Sequence, residues 1–219
     1  MTVSPVDLAS LLCSRLCHDL LSPVGALNNG LELLADETDP AMRARCMDLL
    51  AESARTSASK LKFFRLAFGA AGGFGEQVDV HEARQAIEAL LAEGKGKSLQ
   101  WLVEADTLPK AAVKVLLNLA LIGGDALVRG GTVSIGAEEN DGQVEIVVQG
   151  EGPRVLLDTE IERTLTAGEG ETGVAARTAA AYMIHTLVVE RGGSIQASKP
   201  ADGVLILGAT LGNEVILAR

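Results

Sequence analysis

The chain of 219 residues carries a formal net charge of −10; 47% of it is hydrophobic and only 3% aromatic. That acidity excludes nonspecific nucleic-acid binding, which needs a basic field, and no run approaches the roughly 18 apolar residues of a membrane span. A sizeable aliphatic core is implied, and three cysteines without a secretory start pattern point to a reducing, cytoplasmic setting.

The first part of the chain reads as two helices. Ser4-Pro5-Val6-Asp7 is a start signal, with a capping serine, proline at the first helical position and an acid in the first turn. From there Cys13, Cys17, Leu20, Val24, Leu27, Leu31 and Leu34 alternate spacings of four and three, an apolar heptad seam that Leu16 and Leu21 widen. This helix is expected to end near Asp36. Asp39-Pro40 restarts the pattern, and Met47, Leu50, Ala54, Ser57, Leu61, Phe64 and Phe68 continue the same stepping. Gly69, Gly72, Gly73 and Gly75 then break it, which divides the chain into residues 1–72 and 76–219. Up to residue 75 there are seven Lys/Arg against eight Asp/Glu, and beyond it twelve against twenty-one, so the two parts have different surfaces. A lone helical hairpin leaves much of its apolar stripe wet. Two copies closing into a dimeric four-helix bundle would cover it, through residues of about 5–70; the other solution is that the second part of the chain covers the hairpin.

The second part alternates element types. Strands are expected at Gln77–Val80, Leu99–Glu104, Thr132–Glu138, Gln143–Gln149, Ser194–Ser198 and Val204–Leu211. Helices are expected at His81–Ala92, Pro109 to about Val128, Asp158–Leu165 and Val174–Arg191, the last ended by Gly192-Gly193. Asn140-Asp141-Gly142 and Asp202-Gly203 are hairpin turn signals. Helices grouped with a mixed, largely antiparallel sheet give an α+β fold, a helical hairpin followed by an α/β sandwich.

The sharpest local feature is His18-Asp19-Leu20-Leu21-Ser22-Pro23. His18 falls beside the apolar seam, with Ser14, Arg15, Leu21 and Ser22 as its neighbours three and four residues away, so its ring is expected to be accessible. Pro23 sits inside a continuous helical pattern, where it removes one backbone hydrogen bond and crowds the carbonyl of Asp19. Such a proline costs about 3 kcal/mol. Cys13 and Cys17 read as small residues on the seam rather than ligands. His81 and His185 read as structural or exposed.

That hexapeptide resembles the phosphoacceptor box of two-component histidine kinases, in which His is followed by an acid, Leu, a variable residue, Ser or Thr, and Pro, on the first helix of a dimerisation hairpin. The remaining chain resembles the ATP-binding domain of those kinases with its nucleotide groups lost. Around Asn118 the family's nucleotide helix is expected to carry a second Asn where Ile122 stands. In Val148-Gln149-Gly150-Glu151-Gly152 the paired glycines are present, but Val148 occupies the place of the adenine-reading Asp. The glycine-rich phosphate box around Thr172-Gly173-Val174-Ala175-Ala176-Arg177 is incomplete, whereas Gly192-Gly193-Ser194-Ile195 is retained. An apolar side chain neither ligates Mg²⁺ nor accepts from an amine. As a whole the pattern is similar to that of ChpT-type histidine phosphotransferases, dimeric relays of kinase-like architecture without kinase activity.

The resemblance implies that His18 accepts a phosphoryl group from the aspartyl phosphate of a receiver domain in a hybrid histidine kinase. It then passes the group to response-regulator aspartates without ATP. It implies no cofactor on this chain, with Mg²⁺ and a lysine on the partner receiver. Asp19 is either an acid that orients His18 or a solvated helix acid. Ser22 stands where the kinases often place a residue that positions a hydrolytic water. Arg15, Leu21, Pro23 and Gly25 are expected on the docking face, and the basic excess of Arg43, Arg45, Arg55, Lys60, Lys62 and Arg65 suits either an acidic receiver or a solvated surface. Two other readings stay open: an ATP-dependent kinase with a divergent site, and a non-catalytic module that docks receivers.

Overall fold

The computed structural model describes residues 3–69, 76–93, 96–168 and 173–212. Two long antiparallel helices come first, α1 (Pro5–Asp36) and α2 (Pro40–Ala67). The Ser4 hydroxyl accepts from the Asp7 amide at 3.1 Å, and the Asp39 carboxylate accepts from the amides of Ala41 and Met42. Arg43 closes the turn between the helices by donating to the carbonyls of Leu34 and Glu37 at 3.1 and 2.7 Å. Among the described residues no helix is long and apolar enough to cross a membrane.

The seam that joins the two helices is offset by one residue step from part of the expected one. On α1 the inward positions are Leu16, Leu20, Pro23, Leu27, Gly30 and Leu34; on α2 they include Cys46, Leu50, Ser53, Ser57 and Phe64. Gly30 and Ser53 let the backbones approach, since a Cβ on Gly30 would lie 2.9 Å from a methyl of Leu50. Cys13, Cys17, Val24 and Leu31, expected on the seam, are exposed in the single chain, as are Met47, Ala54 and Leu61 of α2. α1 carries apolar residues on two adjacent stripes, so periodicity alone does not say which stripe meets α2.

The rest of the chain builds a two-layer sandwich: β1 (Gln77–Asp79), α3 (Val80–Ala92), β2 (Lys97–Trp101), β3 (Thr107–Pro109), α4 (Lys110–Ala126), β4 (Gly131–Asn140), β5 (Gln143–Glu151), α5 (Thr159–Ala167), α6 (Ala179–Val189), β6 (Ser194–Ala197) and β7 (Val204–Gly212). The main sheet has the order β2-β4-β5-β7-β6, with β2 parallel to β4 and every other pair antiparallel. A second, small sheet pairs β1 with β3, a strand absent from the expectations. The two expected turns form with Asp141 and Gly142 at φ 50 and 77° and Asp202 and Gly203 at φ 51 and 76°, the left-handed geometry of tight hairpins. α6 starts at Ala179, five residues later than expected. The Thr178 hydroxyl accepts from the Ala175 amide at 3.0 Å and so holds a local turn that competes with the helix.

α4 is buried nearly all round, the mark of a central helix. One side packs on Ile146, Val148 and Leu207 of the sheet; others meet α2, α3 and α6. Phe63, Phe64, Leu66 and Ala67 of α2 belong to this same core. Asn118, fully buried in α4, donates to the carbonyl of Ala67 at 3.3 Å and so ties α4 to the last turn of α2. The base of the hairpin is therefore seated in the sandwich, while its outer stripe is left uncovered. The expected glycine break at Gly72, Gly73 and Gly75 lies outside the described residues.

Candidate functional site

His18 projects from α1 with its side chain 82% exposed. Its Nδ1 lies 3.0 Å from Oδ1 of Asp19. An ionised carboxylate only accepts, so a neutral ring carries its hydrogen on Nδ1 and is left with its lone pair on Nε2. Asp19 itself is only 17% exposed. Burial pushes its carboxyl up, but the hydrogen bonds from His18 and Arg15 and the charges of Arg15 and Lys60 outweigh that and hold it below the ordinary carboxylate range. Asp19 is thus ionised at neutral pH and oriented.

Its second oxygen is held by Arg15, whose Nε donates to Oδ2 at 2.8 Å; Nη2 of the same guanidinium reaches Asp125 Oδ2 on α4 at 3.4 Å. Arg15 was expected on a docking surface. Within the chain it bridges two carboxylates, a role suited to its fork of donors. Asp125 responds in the opposite sense to Asp19: its side chain is 57% exposed, yet partial desolvation by the packed surroundings raises its carboxyl above the ordinary value, against the pull of Arg15 and Lys97.

Pro23, expected on the docking face, is buried in the hairpin, and α1 continues through it. It shares the spacing of Leu16, Leu20 and Leu27 and so turns toward α2. Its missing N–H leaves the Asp19 carbonyl without the helical donor four residues on. Lys60 of α2 fills that vacancy, with Nζ donating to the Asp19 carbonyl at 3.2 Å and pairing with Glu93 Oε2 at 3.5 Å. Leu21 and Ser22 are exposed, and Gly25 is half-buried with open space where a Cβ would stand. Of the basic residues on α2, Arg43, Lys60 and Arg65 are engaged within the chain, the last with Glu82 at 2.6 Å.

Arg15, Asp19, Lys60, Glu93, Lys97 and Asp125 meet around a cleft of about 300 Å³ between the hairpin and the sandwich. A second cavity, of about 200 Å³, lies between α4, α5 and α6, with Ile122, Asp158 and Arg177 on its walls. Ile122 is buried there, and Val148 is buried beneath α4, 3.1 Å from the Cβ position of Gly123. Thr172 of the incomplete phosphate box lies outside the described residues. Asp125 and Glu93 were not singled out from the sequence, and Lys60 only as a surface charge. For Lys60 a signal existed, because a proline inside a helix always frees the carbonyl four residues earlier. Asp125 is 110 positions from Arg15 and carries no local mark.

Comparison with known proteins places this arrangement. A family model described as the histidine phosphotransferase C-terminal domain matches residues 80–203. The protein phosphotransferase ChpT of Brucella abortus (strain 2308) is 35% identical over 209 residues, which cover 94% of this chain and 96% of that one. A bacterial phosphotransferase solved at 1.7 Å superposes with a TM-score of 0.84 at 33% identity, covering 95% of this chain and 98% of the other. The class these define is that of protein phosphotransferases. The chain belongs to the ChpT-type histidine phosphotransferase family.

Proposed function

We propose that this protein is a phosphorelay carrier in which Nε2 of His18 takes a phosphoryl group from the aspartyl phosphate of a hybrid kinase's receiver domain and gives it to response-regulator aspartates. The observation that carries the reading is the exposed His18 ring with Nδ1 held by Asp19 and Nε2 turned out. The Nε2 lone pair attacks phosphorus as the acyl P–O bond breaks, and the receiver carboxylate leaves with its electron pair. The imidazole becomes a phosphorylated imidazolium, whose charge the Asp19 carboxylate stabilises through the Nδ1 hydrogen. Transfer onward reverses these steps on a second carboxylate. Such transfer depends chiefly on in-line placement and charge neutralisation, and the receiver contributes its own aspartate, Mg²⁺ and lysine. Leu21, exposed beside His18, and Gly25, which leaves room for a close approach, supply docking surface; Ser22, also exposed, is placed to attend a water.

The sandwich, residues 76–219, acts without ATP in this reading. Ile122 and Val148, buried where the resemblance expects the second Asn and the adenine-reading Asp, offer no ligand for a metal or an adenine amine. A receiver carrying labelled aspartyl phosphate should load this chain with acid-labile label in the absence of nucleotide, and calorimetric titration with ATP and Mg²⁺ should give no heat of binding. Micromolar ATP binding with self-labelling would overturn the reading in favour of a kinase.

The hairpin, residues 1–72, pairs with a second copy. Val24 and Leu31 on α1 and Met47, Ala54 and Leu61 on α2 each stand one residue past an inward position. In an antiparallel pair that step turns both helices toward the same side, so these residues form one apolar face. Two such faces would close a four-helix bundle. Val24→Asp combined with Leu31→Asp should convert the dimer to a monomer in analytical ultracentrifugation. A wild-type chain that sediments as a monomer, or a variant that stays dimeric, would refute this interface.

A further inference from the structure

We propose that Asp125 and Glu93, two carboxylates of the sandwich, are positioning residues for the phosphoacceptor: through Arg15 and Lys60 they fix both ends of residue 19, so that Asp19 keeps the hydrogen of His18 on Nδ1 and leaves Nε2 as the nucleophile. The inference rests on the reading of His18 as the phosphoryl carrier. It gives the sandwich a part in transfer that needs no nucleotide.

Two parallel links meet at residue 19. In the first, the Asp19 side chain is bound by Arg15 at 2.8 Å and Arg15 by Asp125 of α4 at 3.4 Å. In the second, the Asp19 carbonyl accepts from Lys60 at 3.2 Å, and Lys60 pairs with Glu93 at the end of α3 at 3.5 Å. The second link exists because Pro23 cannot donate to that carbonyl, so the proline opens a backbone acceptor next to the histidine and the sandwich uses it through Lys60. Both links run from the hairpin to the sandwich, and both converge on the residue that touches His18.

The physical need for them is specific. An exposed imidazole populates two neutral tautomers, and the hydrogen bond at one nitrogen decides which nitrogen is the nucleophile. Among the described residues, Asp19 is the hydrogen-bond partner of the His18 ring. An untethered aspartate on a helix surface would turn to water and release it. Arg15 prevents this by holding Oδ2 while Oδ1 faces the ring, and Asp125 fixes the far end of the guanidinium. A lysine at position 15 would offer a single point charge in place of a rigid planar fork, and so would not fix the Asp19 and Asp125 carboxylates in one geometry.

The test uses the full chain with Asp125→Ala, Asp125→Asn, Glu93→Gln and Arg15→Lys. Transfer from a phosphorylated receiver is timed. The His18 tautomer is read by nitrogen NMR of histidine-labelled protein at a pH where the ring is neutral, with His18→Gln identifying its signals among the three histidines. Wild type should show the hydrogen on Nδ1. Asp125→Ala and Arg15→Lys should slow transfer about tenfold, the size expected for a residue that acts through another, and move the tautomer toward Nε2–H. Asp125→Asn, which keeps an acceptor for Arg15, should fall between, and Glu93→Gln should show a smaller loss. The thermal midpoint of every variant is measured alongside. Unchanged tautomer and rate in Asp125→Ala, or slow transfer that only tracks a lowered midpoint across the set, overturns the proposal. If wild type takes no label, the carrier reading fails instead, and the tautomer spectra still report on the two links.

Discussion

His18→Ala should take up no label from a phosphorylated receiver. Removing a nucleophile outright costs on the order of a millionfold where this has been measured in enzymes, far below detection in a transfer assay. The loss should come without a loss of fold. His18 is 82% exposed and, among the described residues, bonded to its neighbour Asp19, and substitutions at such surface sites change stability by about 0.5 kcal/mol or less. Circular dichroism and thermal midpoint should therefore match wild type. Label that persists on the variant would move the phosphoryl group to another side chain and remove the basis of the proposed relay.

Phe64→Ala should be the most damaging single core change at the joint between hairpin and sandwich. Phe64 is 2% exposed, stacks on Phe68 at 5.1 Å and meets Phe63 edge-on at 5.6 Å. The chain has only four phenylalanines, and three of them gather here, where α2 enters the sandwich core. Truncating a buried phenylalanine costs about 3–5 kcal/mol from lost burial and the cavity left behind. For a chain of this size that lowers the thermal midpoint by roughly 6–20 °C. Phe64 also lines the cleft that holds Lys60 and Glu93, so transfer should slow at temperatures where the variant is still folded. A midpoint shift corresponding to less than about 1 kcal/mol would mean that the joint is loosely packed and that the sandwich does not steady the hairpin.

Much of this architecture was legible where the chemistry is local. Ser4-Pro5 and Asp39-Pro40 mark helix starts by capping and fixed φ, and Asp141-Gly142 and Asp202-Gly203 mark turns because their positive φ admits few other residues. The histidine box was legible as a pattern, and the structure places its ring in solvent beside Asp19. Long-range features were not. β3, three residues long, exists only through its pairing with β1 some thirty residues earlier. The offset of the hairpin seam is invisible in a helix with apolar residues on two neighbouring stripes, because only the partner helix chooses between them. Asp125 looks like an ordinary acid near the end of α4, and its meaning comes from the fold that brings it to Arg15.

Pro23 joins the two kinds of information. Read alone it is a helix breaker with a known cost. Read with Lys60 it is the source of a free carbonyl in the residue beside the histidine, met by a cation that the sandwich anchors. α1 continues through the proline to Asp36 because the lost backbone bond is replaced from α2. That replacement ties the height of α2 along α1 to the position of the phosphoacceptor.

The most direct measurement is the site and atom of phosphorylation. The full chain, loaded by a receiver carrying aspartyl phosphate with no nucleotide present, is examined by phosphorus and nitrogen NMR. A single phosphohistidine bonded through Nε2 of His18 is the predicted result. Phosphate on Nδ1, on Ser22 or on a carboxylate, or loading that begins only when ATP is added, would contradict it.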